Sequence, residues 1–332
     1  MNLRRNSRYI GIAISAVTLL IFILIYGPIK LYIIFISLPV VFAYFFLAAI
    51  GFHLMSFVFW SLRIKLLSKT NGFKISFVDS FITVISSLFA ATITPGYVGG
   101  EPVRIKKLND YGVPYGNATA IALGERGFDS IFFVMIFLII IFSGLLILSG
   151  EMKTYTIIGL IVLVIFLSFL LLSIGANNLF KRGISWFEKI YLRIRKKDTG
   201  RDAVPKIIEQ IEAYSGSTRK IFLQSPATLL LGIAVTSLLW LSDFMVPSML
   251  IIGLGFRPDY IYIIFIQVIL VLISLIPITP GAAGIMELLM IATFSIFLPH
   301  GYLIAFVIVW RFITFYLNII IGSLAIHKVV TK

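Results

Sequence analysis

The sequence predicts an all-α integral membrane protein with about six full transmembrane helices plus two re-entrant hairpins in an inverted repeat. Three observations carry that prediction. Of 332 residues, 60% are hydrophobic and 13% charged, and the mean hydropathy is +1.06, far outside the soluble range. A Pro-Gly interruption occurs twice within apolar surroundings, as Ile93-Thr94-Pro95-Gly96-Tyr97-Val98-Gly99 and as Ile278-Thr279-Pro280-Gly281-Ala282-Ala283-Gly284. The copies are offset by 185 residues (279 − 94), and Arg126 and Arg311 each follow their Pro-Gly glycine by 30. Finally, the net charge of +14 is gathered into clusters beside apolar runs, as in membrane proteins with basic cytoplasmic loops.

Proline lacks a backbone donor and glycine tolerates φ > 0, so Pro-Gly inside an apolar run ends or turns a helix. At membrane depth such a break survives only where protein or water satisfies the freed backbone groups. Matching breaks in two halves of a membrane chain point to a central site. The plainer reading is a pair of kinks that help helices pack.

In chain order, residues 9–26 form an apolar run behind Arg4, Arg5 and Arg8, read as a retained helix rather than a cleaved signal, and stopped by Gly27-Pro28. A second run covers about 31–60, followed by a basic loop with Arg63, Lys65, Lys69 and Lys74. Residues 75–94 lead into the first break, and Arg104, Lys106 and Lys107 come after it. The segment 117–149 carries Glu125, Arg126 and Asp129 in its first third, and 155–174 is a further span. Residues 181–220 hold eleven Lys/Arg against five Asp/Glu. Apolar residues recur there at helical spacing (Ile184, Phe187, Ile190, Ile194, then Ile207, Ile208, Ile211), predicting amphipathic helices on the membrane surface. The span 226–253 has Asp243 near its middle, 260–276 precedes the second break, 285–298 follows it, and a last span ends near His327.

Charge sets the topology. If 75–94 crossed fully, the most basic loop would face outward, against the positive-inside rule. With the first break as the tip of a re-entrant hairpin, the basic loops and both termini are cytoplasmic, and the second hairpin, about 259–298, enters from the other face. The expected organisation is one polytopic domain, 1–332, made of repeat A (about 31–149), a cytoplasmic amphipathic loop (about 177–225) and repeat B (about 226–327).

The ordered motifs Thr94-Pro95-Gly96-Tyr97-Val98-Gly99-Gly100-Glu101-Pro102-Val103-Arg104, Glu125-Arg126-Gly127-Phe128-Asp129 and Pro277-Ile278-Thr279-Pro280-Gly281-Ala282-Ala283-Gly284-Ile285-Met286-Glu287 resemble the transmembrane region of lysylphosphatidylglycerol synthase, also called multiple peptide resistance factor. The resemblance spans nearly the whole chain. In the full-length synthase a cytosolic domain transfers lysine from tRNA to phosphatidylglycerol and the membrane part moves the product between leaflets. The longest polar stretch here, 177–225, is too short for such a domain. What the resemblance implies is therefore the membrane part alone, a stand-alone flippase-like region. Ala282-Ala283 departs from the family, which often has a further glycine there.

Arg126 and Arg311 are the leading candidate substrate-binding residues. A guanidinium within an apolar span is costly unless paired or wet, and its fork of donors suits a phosphate. For Arg126 the alternative is an internal pair with Asp129 or Glu125; for Arg311, which has no acid nearby in sequence, the partner is a tertiary acid or a ligand. Glu101 and Glu287 follow the breaks one residue out of register with each other. Each is either a helix-start acid worth roughly 0.3–1 kcal/mol or a cavity acid that binds a lipid amine or a coupling proton. Asp243 is a mid-span acid that could bind substrate or pair with a residue such as Arg311. Glu125 and Asp129 complete the substrate-binding set. The hairpin tips are Thr94, Pro95, Gly96, Gly99, Gly100, Thr279, Pro280, Gly281 and Gly284, whose glycines serve either turns or close helix approach.

His53, His300 and His327 are isolated in the sequence and have no metal-ligand spacing. The chain has no cysteine, hence no disulfide framework or thiol nucleophile. No P-loop or nucleophile elbow is present, so neither ATP-driven transport nor a cofactor is expected. The expected partner is a membrane phospholipid or other polar lipid, not nucleic acid, with a homo-oligomer or a cytosolic partner left open. The sequence thus favours a lipid transporter, against the alternatives of an intramembrane transferase acting on a lipid headgroup or lipid-linked sugar, or a membrane subunit of a cytosolic enzyme.

Overall fold

The computed structural model describes residues 38–142, 157, 161, 164, 203–276, 279 and 281–330, and every regular element among them is helical. Helix α1 (Val41–Thr70) runs ten residues beyond the expected end at Trp60, because neither Gly nor Pro occurs between Gly51 and Gly72. Arg63, Lys65 and Lys69 are consequently helical rather than loop residues, which corrects the sequence reading. The helix stops where Asn71 turns its Nδ2 back to donate to the Leu67 carbonyl and Gly72 takes φ +88°.

Helix α2 (Phe77–Thr92) begins at Ser76, whose hydroxyl accepts the Asp79 amide at 3.0 Å. After the first break come α3 (Gly100–Asp110) and α4 (Tyr115–Phe142). Then follow α5 (Ala203–Arg219), a π-helical turn (Lys220–Gln224) and α6 (Pro226–Gly253), which starts with a Ser225 cap and a first-turn proline. Helix α7 (Tyr260–Ser274) is capped by Asp259, α8 is Ile285–Phe294, and α9 (His300–Arg311) continues through a second π turn (Phe312–Tyr316) into α10 (Leu317–Val330). Among the described residues α1, α6 and the stretch Gly301–Leu324 are long and apolar enough to cross a membrane, while α2, α7 and α8 are shorter apolar helices.

The same order appears twice: long helix, short helix, Pro-Gly break, short helix, long helix. The short helices have 16 and 11 residues in the first half and 15 and 10 in the second. The backbone repeats as well. Gly96 and Tyr97 have φ of 60° and 59°, and the residues 185 further on, Gly281 and Ala282, have 54° and 51°. Tyr97 and Ala282 are the positive-φ non-glycines among the described residues. Such a conformation costs an L-residue roughly 1–2 kcal/mol, so its recurrence at one offset marks a turn that both halves retain. Ala282 adopts the turn despite lacking the glycine common in the resembled family.

Helices α1 and α6 pack along their lengths and join the two halves, while α2 lies against α10. One apolar cluster fills the space among α6, α7, α8 and α9 with contributions from α1 and α4; a second lies among α1, α2, α3 and α4. Helix α5 docks on the start of α4. There the Gly116 amide donates to Gln210 Oε1 at 2.6 Å, and Asn117 Nδ2 donates to Ser217 Oγ at 2.7 Å. The described part of the amphipathic region is thus pinned to the helical bundle. The expected runs at 9–26 and 155–174 and the segment 181–202 lie outside the described residues, apart from helical positions 157, 161 and 164.

Candidate functional site at the meeting of two broken hairpins

The two breaks touch. The Gly281 amide donates to the Thr94 carbonyl at 3.3 Å, and the Tyr97 hydroxyl donates to the Gly281 carbonyl at 3.3 Å. Each tip is braced from within. Thr94 Oγ1 donates to the Ala90 and Ala91 carbonyls (2.9 and 3.0 Å) and accepts the Gly99 amide (2.9 Å), which closes the turn through Pro95 and Gly96 onto Gly99-Gly100. Thr279 Oγ1 donates to the Ala283 carbonyl at 2.8 Å. Pro280 lies outside the described residues. At Gly281 a side chain is excluded by the partner hairpin and by the second π turn: a Cβ would stand 2.1 Å from Phe315 and 2.8 Å from the Thr92 carbonyl. Gly284 has open space around it, so its φ of +86° is what requires glycine there.

Behind the second tip, Arg311 is 3% exposed and Glu287 4% exposed. Arg311 Nε donates to Glu287 Oε1 at 2.6 Å, and Nη1 and Nη2 both donate to the Gly281 carbonyl at 3.3 Å. Glu287 Oε2 accepts the Gly284 amide at 2.6 Å, so this acid both starts α8 and holds the arginine. The Arg311 guanidinium sits 4.8 Å from the Phe315 ring centre. Its partner is therefore the tertiary acid Glu287.

Behind the first tip the same pair recurs, with Arg126 Nε donating to Glu101 Oε1 at 2.8 Å and Nη2 donating to the same oxygen. The one-residue slip between Glu101 and Glu287 therefore does not separate their roles. Arg126 Nη1 also reaches Asp129 Oδ2 at 3.2 Å. This pair is more open, with side-chain exposures of 19% for Arg126 and 22% for Glu101.

The first pair belongs to a larger network. Arg63 donates to Glu125 (3.2 Å), Asp129 (2.6 Å) and Thr236 of α6 (3.1 Å). Trp60 and Trp240 donate to Glu125 and Asp129 at 2.7 and 2.8 Å. Arg104 Nη1 stands 3.0 Å from Glu125 Oε2, near enough for an ion pair but out of line for a hydrogen bond. Its Nη2 donates to Ser87 at 3.3 Å, while its Nε has no acceptor. Three arginines (63, 104, 126) thus balance three acids (101, 125, 129). Charges buried this deeply persist only when paired and hydrogen-bonded.

Asp243 does not meet Arg311. It pairs with His53, whose Nδ1 lies 2.6 Å from Asp243 Oδ1 and whose Nε2 lies 2.9 Å from Asn318 Oδ1. His53 is thus not isolated in the fold.

Sequence reasoning missed Trp60, Arg63, Arg104, His53 and Asn318. Arg63 and Arg104 had been placed with the solvated loop cations, yet both are 1% exposed. One signal was available: with no helix breaker before Gly72, His53, Trp60 and Arg63 fall at helical spacing along one side of α1.

Comparisons with known proteins come to the same place. The family described as the lysylphosphatidylglycerol synthase TM region matches residues 8–322. A UPF0104 membrane protein of Archaeoglobus fulgidus is 32% identical over 296 residues, covering 86% of each chain. Relatives described in the same words occur in Methanothermobacter thermautotrophicus (25% over 289 residues; 81% of this chain, 78% of the relative) and Methanocaldococcus jannaschii (24% over 277 residues; 81% and 80%).

Proposed function

The chain belongs to the lysylphosphatidylglycerol synthase transmembrane-region family of membrane proteins, and from that premise we propose that it moves a polar phospholipid between leaflets. It does so as a multi-pass protein of the cell membrane with both termini in the cytoplasm. The observation that carries this reading is the meeting of two Pro-Gly tips, each backed by an arginine held on a carboxylate.

At rest the site is electrically balanced, which removes the cost of an uncompensated charge in an apolar setting. A lipid phosphate offers an arginine the same bidentate partner that a carboxylate does. The phosphate replaces Glu101 on Arg126, the more open pair, and the freed carboxylate takes a cationic headgroup or a proton. Arg311 and Glu287 lie behind the tip contact, so they serve the second stage, after the hairpins part. Acyl tails remain in the bilayer throughout, and access alternates between the two faces.

The test is reconstitution into liposomes with a fluorescent phospholipid, comparing wild type with Arg126→Ala, Arg126→Lys and Arg311→Ala, each checked for a monodisperse detergent profile. Wild type accelerates crossing, both alanine variants lose most of that acceleration, and Arg126→Lys retains part of it. Equal rates for all four proteins and for empty vesicles would remove transport as the function.

A further inference from the structure

The triad of His53, Asp243 and Asn318 stands apart from both arginine–carboxylate pairs. It joins α1 of the first half to α6 and α10 of the second. Asn318 Nδ2 donates to the Thr314 carbonyl at 2.6 Å, so the amide oxygen is the atom that faces His53 Nε2. Nε2 must then carry a hydrogen. On the other side of the ring, Nδ1 is 2.6 Å from a carboxylate oxygen of Asp243.

A neutral imidazole has one N–H and one lone pair. With its hydrogen committed to Asn318, a neutral ring would point the Nδ1 lone pair at an ionised carboxylate, and two acceptors do not sit at 2.6 Å without a hydrogen between them. The geometry therefore requires one further proton, on Nδ1 as imidazolium against carboxylate, or on Asp243 as O–H donating to Nδ1. We infer that His53, Asp243 and Asn318 form a proton-binding site that holds one exchangeable proton between the two halves of the protein.

The surroundings suit that role. His53 is shut in, with its side chain 5% exposed and Phe57 edge-on at 4.8 Å, whereas the Asp243 side chain is 26% exposed and offers the proton its way in. Beyond His53, the ionisable group that feels the Asp243 charge is Tyr97 of the first tip, which also feels Arg311 and Glu287 behind the second tip. On helix α2 the acid is Asp79, which is held at its own first turn by Ser76. The Arg63 network, with Glu125, Arg126 and Asp129, sits ten residues along α1, about 15 Å away. Loss of the proton leaves two acceptors facing each other across the α1–α6 seam, and Tyr97 carries that change to the tip contact. A proton gradient is thereby the energy source for lipid movement, a conclusion that rests on the transport reading, whereas the binding site itself does not.

The test has two arms. In a His300→Gln/His327→Gln background, with His53 the remaining histidine, ¹⁵N-labelled ring signals are followed in nanodiscs. The expected result is a proton in the Nδ1–Asp243 hydrogen bond, as an imidazolium beside a carboxylate or a neutral ring beside a carboxylic acid, and its loss from that bond in Asp243→Asn. A neutral ring from about pH 5 to about pH 8 beside an Asp243 whose ¹³C-labelled carboxyl signal shows it ionised overturns the site. In the second arm, liposomes carrying a pH gradient show faster lipid crossing for wild type and no response for His53→Gln. A gradient response that survives in His53→Gln overturns the coupling. If no crossing occurs in any vesicle, the transport reading falls, and the ring titration still decides the proton site.

Discussion

Removing Glu287 exposes how the second tip is held. In Glu287→Ala, Arg311, 3% exposed, keeps its charge and two 3.3 Å contacts to the Gly281 carbonyl but loses the carboxylate at 2.6 Å. Breaking a buried pair by deleting one partner costs roughly 3–5 kcal/mol, mostly from the stranded charge. Replacing both members with Leu removes the stranded charge and leaves the loss of the Gly284 amide's bond to Glu287, which Glu287→Ala loses as well, and of the arginine's bonds to the tip carbonyl, about 1.5–3 kcal/mol for a charged donor. The double variant is therefore more stable than Glu287→Ala alone. Unfolding in mixed micelles with increasing denaturing detergent, followed by tryptophan fluorescence, gives the ordering wild type, double variant, single variant. A Glu287→Ala protein within about 0.5 kcal/mol of wild type, or a double variant less stable than the single, would refute the argument that a buried charge pair anchors this tip.

The other predictions concern backbone, packing and orientation. Gly281→Ala places a Cβ 2.1 Å from Phe315 at a φ of +54° and costs about 2–5 kcal/mol from overpacking and strain together. Gly284→Ala, at a φ of +86° in open space, costs about 1–2 kcal/mol, and the same unfolding assay should separate the two. Gly232→Ala drives a Cβ to 2.4 Å from Phe128, which is stacked on Phe222 at 5.1 Å. It destabilises by about 1–3 kcal/mol, and adding Phe128→Leu recovers part of the loss. Arg193→Cys, in this cysteine-free chain, resists impermeant thiol reagents in intact cells; labelling there would invert the proposed orientation.

Much of the frame was legible because it depends on local chemistry. The span 226–253 was readable to the residue, since Ser225 and Pro226 open it and a Gly-containing turn closes it. The two tips were readable because proline and glycine act through their own backbone and leave a mark at a fixed offset. What escaped notice depends on partners remote in sequence. His53 meets Asp243 and Asn318 across separations of 190 and 265 residues, which no periodicity reports. Arg63 and Arg104 were miscounted for a different reason. The positive-inside rule weighs cations by number near an apolar run, and a buried cation adds to that number as much as a solvated one does. The off-register acids show the same limit from the other side: the helices after the breaks start at matching positions, Gly100 and Ile285, yet Glu101 and Glu287, one position apart, both reach their arginines.

The bond between the tips runs one way. Gly281 gives and Thr94 receives, and Arg311 grips the carbonyl of its own tip while Arg126 turns to Asp129. Two halves built alike have thus settled into unlike postures. Exchanging those postures would have Gly96 give to Thr279, but Ala282 stands where Tyr97 does and has no hydroxyl to give, so the duplicated halves favour the posture seen here.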